Sequence, residues 1–228
     1  MPRRPAELTV DASGDGKRQR IAPFDAWVAG IERRVRHVTC QGGAPRAAGS
    51  KLVTAHLGPD SFSPRANDAN ARLPPGIRAA RAKYPKCSFK AGHMLNCNLG
   101  GNGKDSRNLT ILRASANTAM TKRDNALARA CQHLRKMYEA LHAARADAAQ
   151  LSCCIAVRIS VGKTKWGDAP PDSYITQRVK IVAGLLREPD LAKLIPDARQ
   201  LADAQGALRR VQTEVGKANG VVNNRKPA

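Results

Sequence analysis

The chain is a strongly basic polypeptide of 228 residues with an ordinary share of apolar residues. It carries 39 Lys and Arg against 18 Asp and Glu, a formal net charge of +21, while 42% of its residues are hydrophobic. This composition excludes a fully disordered chain and supplies enough apolar residues for one sizeable core. No uninterrupted apolar run approaches the roughly twenty residues of a membrane span, so we expect no membrane insertion.

The first predicted elements lie in the amino-terminal third. Residues 1–22 have no hydrophobic periodicity, which predicts a flexible basic leader. From Asp25 to Val38 apolar residues recur at spacings of three and four, which predicts an amphipathic helix. Residues 51–57 alternate like a strand, and a short helix is predicted from Pro75 to Lys83.

The centre of the chain predicts two short strands followed by a long helix. Residues 87–96 are predicted to be extended, residues 99–107 to be a turn-rich loop, and residues 108–112 to be a strand. The helix is predicted to begin at a Ser115 N-cap and to end near Gln150. Its apolar face repeats every seven residues at Met120, Leu127, Leu134 and Leu141.

The carboxy-terminal third predicts further strands and then helix. Residues 155–161 alternate cleanly as a strand. Residues 174–182 predict its antiparallel partner, with a helix as the competing interpretation. The remainder to about residue 216 is helical by propensity, and residues 217–228 are interpreted as a basic tail. Because no repeat and no strong linker divides the chain, we expect a single domain over residues 23–216.

The six cysteines are interpreted as reduced, mostly buried thiols, because the chain is too long and too rich in apolar residues to depend on disulfides. Cys153 and Cys154 are adjacent and point to opposite faces of a strand, unlike the paired ligands of a zinc site. Cys87 and Cys97 lie ten residues apart, and a disulfide or a shared metal between them is left open.

About half of the net positive charge lies in one segment. Residues 76–145 contain fourteen Lys and Arg against three Asp and Glu. A nucleic acid, an acidic membrane surface and an acidic protein all attract such charge, but its clustering favours nucleic acid. The aromatic content of 4% argues against a stacking platform for single strands and favours contact with the backbone.

One stretch inside this basic segment concentrates small, polar and ionisable residues. Residues 90–101 read Lys-Ala-Gly-His-Met-Leu-Asn-Cys-Asn-Leu-Gly-Gly, and they are followed by Asn108 and by Asn117 at the start of the long helix. A neutral imidazole takes a proton from water, and an amide oxygen is a hard ligand for Mg²⁺. Because Mg²⁺ keeps most of its waters, a site poor in carboxylates is not excluded.

This stretch resembles the DNA/RNA non-specific endonucleases of the ββα-metal (His-Me finger) superfamily, and more closely their bacterial toxin-type branch. The resemblance covers roughly residues 51–183 and is most specific over residues 90–120. It implies an α+β fold with a ββα-metal finger core at about residues 87–150, extra antiparallel strands and flanking helices. The matching residues are Gly92-His93-Met94-Leu95-Asn96, Leu99-Gly100-Gly101, Asn108-Leu109 and, nine residues after Asn108, Asn117.

The resemblance implies a role for each matching residue. His93, on the hairpin, is expected to be the general base that activates water, and Asn108 to brace the histidine or the water shell of the metal. Asn117, on the long helix, is expected to be the protein ligand of one divalent cation, Mg²⁺ or another such as Mn²⁺. The candidate substrate-binding residues are Lys90, Arg107 and Arg113.

Two positions depart from the better-known branch of the superfamily. That branch has Asp-Arg-Gly-His where this chain has Lys90-Ala91-Gly92-His93, so the arginine near the phosphate is absent from its usual place. It also has a Glu eight residues after the metal-binding Asn, where this chain has Asn125 with Asp124 beside it. We therefore expect the metal's affinity or its water shell to differ from that branch.

The expected function is a divalent-metal-dependent endonuclease that cuts DNA, RNA or both with little sequence specificity. The alternative is a non-catalytic basic nucleic-acid-binding protein with a degenerate finger. Family analogy further implies an antibacterial toxin or secreted effector with an acidic immunity protein as partner. Such a protein is expected to be made in the bacterial cytoplasm, exported by a signal-peptide-independent system and active in the cytoplasm of the target cell.

Overall fold

A computed structural model describes residues 22–42, 50–63, 73–74 and 76–226. Its helices are α1 (Phe24–Val35), α2 (Ile77–Lys83), α3 (Ala114–Ala143), α4 (Leu191–Leu194) and α5 (Ala198–Ala218). Its strands are β1 (His37–Gly42), β2 (Ser50–Leu57), β3 (Phe89–His93), β4 (Leu109–Arg113), β5 (Cys154–Val161), β6 (Arg178–Leu186) and β7 (Gly220–Asn223). The predicted leader lies outside the described residues except for Ala22.

The largest layer is a five-stranded antiparallel sheet in the order β1-β2-β5-β6-β7. Its strands alternate between a buried and a more exposed face, as expected for a sheet with only one covered side. In β5, for example, Val157 and Ile159 are buried while Arg158 between them is exposed. The mixture of helices with antiparallel sheets confirms the predicted α+β class.

The main core lies between the buried face of this sheet and the helices α1, α3 and α5. The predicted apolar stripe of α3 is fully inside, and Leu134 and Leu141 are 0% exposed. Tyr138 on the same face donates a hydrogen bond to the Cys153 carbonyl at 2.9 Å and packs edge-on against Trp27. Within the described residues, no helix is long and apolar enough to cross a membrane.

A second, two-stranded sheet is formed by β3 and β4. The strands pair in antiparallel register, with His93 opposite Leu109 at one end and Phe89 opposite Arg113 at the other. Helix α3 follows β4 without an intervening loop, and the Ala114 amide donates to the Ser88 carbonyl at 2.8 Å. The chain therefore runs strand, strand and helix through the segment that carries the candidate site.

A smaller apolar cluster packs α2 onto this hairpin. Phe89 and Ile111 contribute from the two strands, and the ring centroids of Phe89 and Trp166 lie 5.4 Å apart. The remaining buried members of the cluster are Ile77, Ala80 and Ile175.

The carboxy-terminal segment joins the two sheets. Strand β7 pairs with β6 at the edge of the large sheet. The fully buried Asn224 then donates to the carbonyls of Ile111 and Thr176 at 3.0 and 2.9 Å and accepts from the Arg113 amide at 2.8 Å. The segment interpreted as a basic tail thus begins inside α5 and continues as a paired strand. The sequence interpretation missed this strand because its partners are distant in sequence.

Several predicted boundaries differ from the structure. Helix α1 ends at Val35, not Val38, and the chain turns directly into β1, which the sequence interpretation missed. Helix α3 begins at Ala114 with Arg113 in the N-cap position and no side-chain cap, so the Ser115 N-cap was wrong. It ends at Ala143, seven residues before the predicted end. Residues 178–186 form a strand, which excludes the competing helix there.

Candidate active site

Asn117 lies against the backbone of Gly92, the residue immediately before His93. It belongs to the first turn of α3, which packs on β3. A Cβ placed on Gly92 would lie 3.2 Å from Asn117 Oδ1 and 2.9 Å from Leu112 Cγ. Because glycine has no side chain, helix and strand approach closely here. The hairpin and the helix therefore bring the amide oxygen of Asn117 next to the strand end that carries His93.

The His93 ring holds a buried nitrogen with no hydrogen-bond partner among the described residues. The atom is Nε2, and burial lowers the pKa of this imidazole below its ordinary value. A buried polar atom without a partner is costly and calls for an explanation such as a bound water, an ion or a catalytic role. A lowered pKa keeps the ring neutral at neutral pH, which is the form that accepts a proton.

His133 shows that such an atom is not by itself a site. Its Nδ1 is also buried without a partner in the described part of the chain, and its pKa is lowered by desolvation and by the nearby charge of Lys136. It lies in the middle of α3, far along the helix from Asn117. His93 differs because the residue before it, Gly92, lies against Asn117 and a glycine-rich loop follows it in the chain.

Asn108 is fully buried and clamps the loop that follows His93. Its Oδ1 accepts from the Leu95 amide and its Nδ2 donates to the Leu95 carbonyl, both at 2.9 Å. Its own carbonyl accepts from the Met94 amide at 2.7 Å. The Asn108 side chain is thus engaged with the backbone of Leu95, two residues after His93.

The two glycines of the Leu99-Gly100-Gly101 loop have separate structural reasons. A Cβ on Gly101 would collide with the Leu95 carbonyl oxygen and lie 2.8 Å from Asn108 Nδ2, so glycine is needed for the clamp to close. Gly100 has a φ of +92°, in the left-handed region that favours glycine. The loop therefore packs tightly against the chain that follows β3.

Two residues near the site were not predicted to belong to it. Asp124 is 7% exposed and accepts a hydrogen bond from Asn96 Nδ2 at 3.4 Å, and burial raises its pKa to about 7. Its spacing of seven from Asn117, two helical turns, is the sequence signal that places both on one side of α3. Arg36 Nη2 would lie 2.6 Å from a Cβ on Gly100, a contact with no local sequence signal.

The three basic candidates lie in different places. Lys90 is exposed and shares a face of β3 with Gly92, the face that meets Asn117. Arg107 lies before β4 and forms an ion pair with Asp105 at 2.9 Å. Arg113 is at the opposite end of β4, about 13 Å along the strand from the residue paired with His93. Counted along the hairpin from the His93–Leu109 pair, Arg107 is thus two residues away, Lys90 three and Arg113 four.

The donor set for a metal is small. Among the residues that the structure describes, no group of three or more His, Cys, Asp or Glu side chains could hold a metal ion. All six cysteines are free thiols, including Cys87 and Cys97. The amide oxygen of Asn117 remains as a hard ligand, and Mg²⁺ binds at such sites with water and substrate phosphate filling its other positions. The residues present fit a cation held in this way.

No protein-family model, curated protein or solved structure matches the chain.

Proposed function

We propose that this chain is a divalent-metal-dependent endonuclease that hydrolyses phosphodiester bonds of DNA, RNA or both with little sequence specificity. The observation that carries the proposal is the position of Asn117 against Gly92, the residue before His93, on a strand, strand and helix segment. A histidine on a hairpin and an asparagine on the following helix are what the resemblance to the ββα-metal superfamily implies.

His93 is the general base of this proposal. Its ring, which burial keeps neutral, accepts a proton from the attacking water. The Asn108 clamp fixes Leu95, two residues beyond His93, and so limits movement of the strand end. Asn108 is therefore a positioning residue, and it acts on the reaction through His93.

Asn117 holds the divalent cation, Mg²⁺ or another such as Mn²⁺, through its amide oxygen. When bound, the cation stabilises the charge that develops on the phosphate and on the leaving oxygen. Lys90 lies on the face of β3 that meets Asn117 and offers an exposed positive charge to the substrate phosphate. Arg107 adds to the local positive potential, although Asp105 offsets part of its charge.

The biological setting that we propose rests on the resemblance to bacterial toxins. In it the protein is an antibacterial effector that is exported and cuts nucleic acid in the cytoplasm of a rival cell. An acidic immunity protein would protect the producing cell. The net charge of +21 supports attraction to either an acidic protein or a nucleic acid.

The test is incubation of the purified protein with supercoiled plasmid and with total RNA, in Mg²⁺ and in EDTA. We expect strand cleavage of at least one substrate in Mg²⁺ and its loss in EDTA. If neither substrate is cut with Mg²⁺, Mn²⁺ or other divalent metals, the proposal is wrong.

A second candidate is a non-catalytic basic nucleic-acid-binding protein. The observation that favours it is the complete use of Asn108 as a backbone clamp, which also suits a finger with a purely structural role. This candidate predicts binding that persists in EDTA, weakens steeply with salt and is never followed by cleavage.

A further inference from the structure

The chain segment that forms α2 and β3 is basic and contains no Asp or Glu of its own. Residues 76–104 contain no Asp or Glu, and their Lys and Arg residues are Arg78, Arg81, Lys83, Lys86, Lys90 and Lys104. Helix α2 packs on β3, and Arg81 Nη2 donates to the Phe89 carbonyl at 3.0 Å. The positive charge is thus carried by elements that are fixed to the hairpin of His93.

Two of these side chains, on α2 and on the turn that joins it to β3, are available to a ligand. Arg78 and Lys86 are exposed, and neither has an ion-pair partner in the described ranges of the chain. We call these two residues the α2–β3 surface. Lys83, by contrast, pairs with the buried carboxylate of Asp172 at 3.3 Å.

The negative charge of Asp172, beside this surface, is balanced by its partners. Asp172 is 4% exposed, and its carboxylate accepts hydrogen bonds from the Tyr84 hydroxyl at 2.8 Å and from Lys226 at 3.0 Å. With Lys83 as a second cation, this carboxylate is fully compensated.

The aromatic rings of the chain are turned inwards. All its two tryptophans, three tyrosines and three phenylalanines lie in the described residues, and none of them is exposed. Beside the α2–β3 surface, Phe89 and Trp166 belong to the small apolar cluster. The Tyr84 ring is covered by the ammonium groups of Lys83 and Lys226, each 5.5 Å from its centroid.

We infer that the α2–β3 surface holds a double-stranded nucleic acid by its phosphates, in preference to a single strand. Proteins that bind single strands gain much of their affinity from bases stacked on aromatic rings, and this surface offers no ring. Fixed point charges suit the dense and regular phosphates of a duplex, DNA or RNA. The inference rests on the proposed function in one respect: the duplex held here is the substrate that the proposed nuclease cuts near His93.

The test measures binding in EDTA, so that it does not depend on cleavage. Fluorescence anisotropy compares a labelled DNA duplex of about 20 base pairs with one of its strands, over about 50 to 200 mM salt. The variant Arg78→Gln/Lys86→Gln removes two charges from the surface. The matched control, Arg199→Gln/Arg209→Gln, removes two exposed charges from α5, which does not belong to the surface.

We expect the duplex to bind about tenfold or more tightly than the single strand at equal salt. In the surface variant, the slope of log K against log salt should fall by about two, one for each lost phosphate contact, while the control keeps the native slope. Equal binding of the two nucleic acids, or equal effects of the two variants, overturns the inference.

The two proposals fail separately. If the protein cuts in Mg²⁺ but the surface and control variants lose equal affinity for the duplex, the inference about the surface is wrong and the proposed nuclease stands. Surface-dependent duplex binding without any cleavage leaves the surface and removes the nuclease.

Discussion

The side chain of Asn108 and the backbone of Leu95 form a closed pair of hydrogen bonds, each 2.9 Å long, below the end of β3. This pair fixes the chain just after His93 and has no access to solvent, since both residues are 0% exposed. The candidate site is therefore built on a buried polar contact whose loss is measurable as stability.

Replacing Asn108 with Ala should destabilise the protein by about 3 kcal/mol, because the amide and carbonyl of Leu95 both lose a buried partner. Urea unfolding followed by circular dichroism measures the change. The control is Asn125→Ala on the exposed face of α3, which should change stability by less than about 0.5 kcal/mol. Similar effects of the two substitutions would show that the clamp does not hold the loop.

Replacing Gly101 with Ala should destabilise the protein by about 2 kcal/mol or more, because the new Cβ collides with the Leu95 carbonyl oxygen. Gly216→Ala is the matched control, since a Cβ there meets nothing within 4 Å in α5. That change should stabilise the protein by up to about 1 kcal/mol, because alanine is the better helix former. Thermal unfolding of both variants checks the opposite signs, and a neutral Gly101→Ala would contradict the packing described here.

Asp124→Asn should stabilise the protein more at pH 8 than at pH 4. Burial raises the folded-state pKa of Asp124 to about 7, well above the value of an unfolded Asp near about 3.9. Between these values the folded state retains a proton that the unfolded state releases, so the native protein loses stability as pH rises from about 4 to 7. The amide is neutral throughout, and the difference between variant and native protein should grow by roughly 4 kcal/mol over this range.

Chemical unfolding at several pH values measures this difference. Asp203→Asn changes an exposed carboxylate on α5 and serves as the control, with a difference that stays small at every pH. If the difference in unfolding free energy between Asp124→Asn and the native protein does not change with pH, the buried carboxyl ionises at little cost and the prediction is wrong.

The acid limb of the cleavage rate should have its midpoint below about pH 6.5, because burial lowers the pKa of His93 and the neutral ring is the base. Initial rates of plasmid nicking at saturating Mg²⁺, from about pH 5 to pH 8, measure it. Asp124→Asn should keep the same acid limb. A limb that disappears in that variant would assign the titration to Asp124.

Hydrophobic patterns predicted the helices and strands whose buried residues repeat regularly along the chain. The alternation of residues 155–161 and the apolar stripe of α3 both match buried faces in the structure. Strand β1 was missed because Val38 continues the apolar spacing of α1, and only pairing with β2 makes it a strand. Strand β7 is four residues long, and its pairing with β6 is invisible to any local window.

For the candidate site, the sequence predicted which segment carries it but not the contacts of its residues. The spacing of His93, Asn108 and Asn117 marked the segment, but the sequence carries no sign that the Asn108 amide is spent on Leu95. The burial of Asp124 follows from how α3 packs on the loop at Asn96. Contacts of this kind depend on tertiary packing, which residue type and spacing do not determine.

The most direct test of the nuclease is plasmid cleavage by His93→Ala beside His133→Ala. Both histidines carry a buried ring nitrogen without a partner in the part of the chain that the structure describes, so the two variants lose comparable groups. With Mg²⁺ present and folding checked by circular dichroism, we predict a rate loss of at least about 100-fold for His93→Ala and a near-native rate for His133→Ala. Native cleavage by folded His93→Ala would contradict the account.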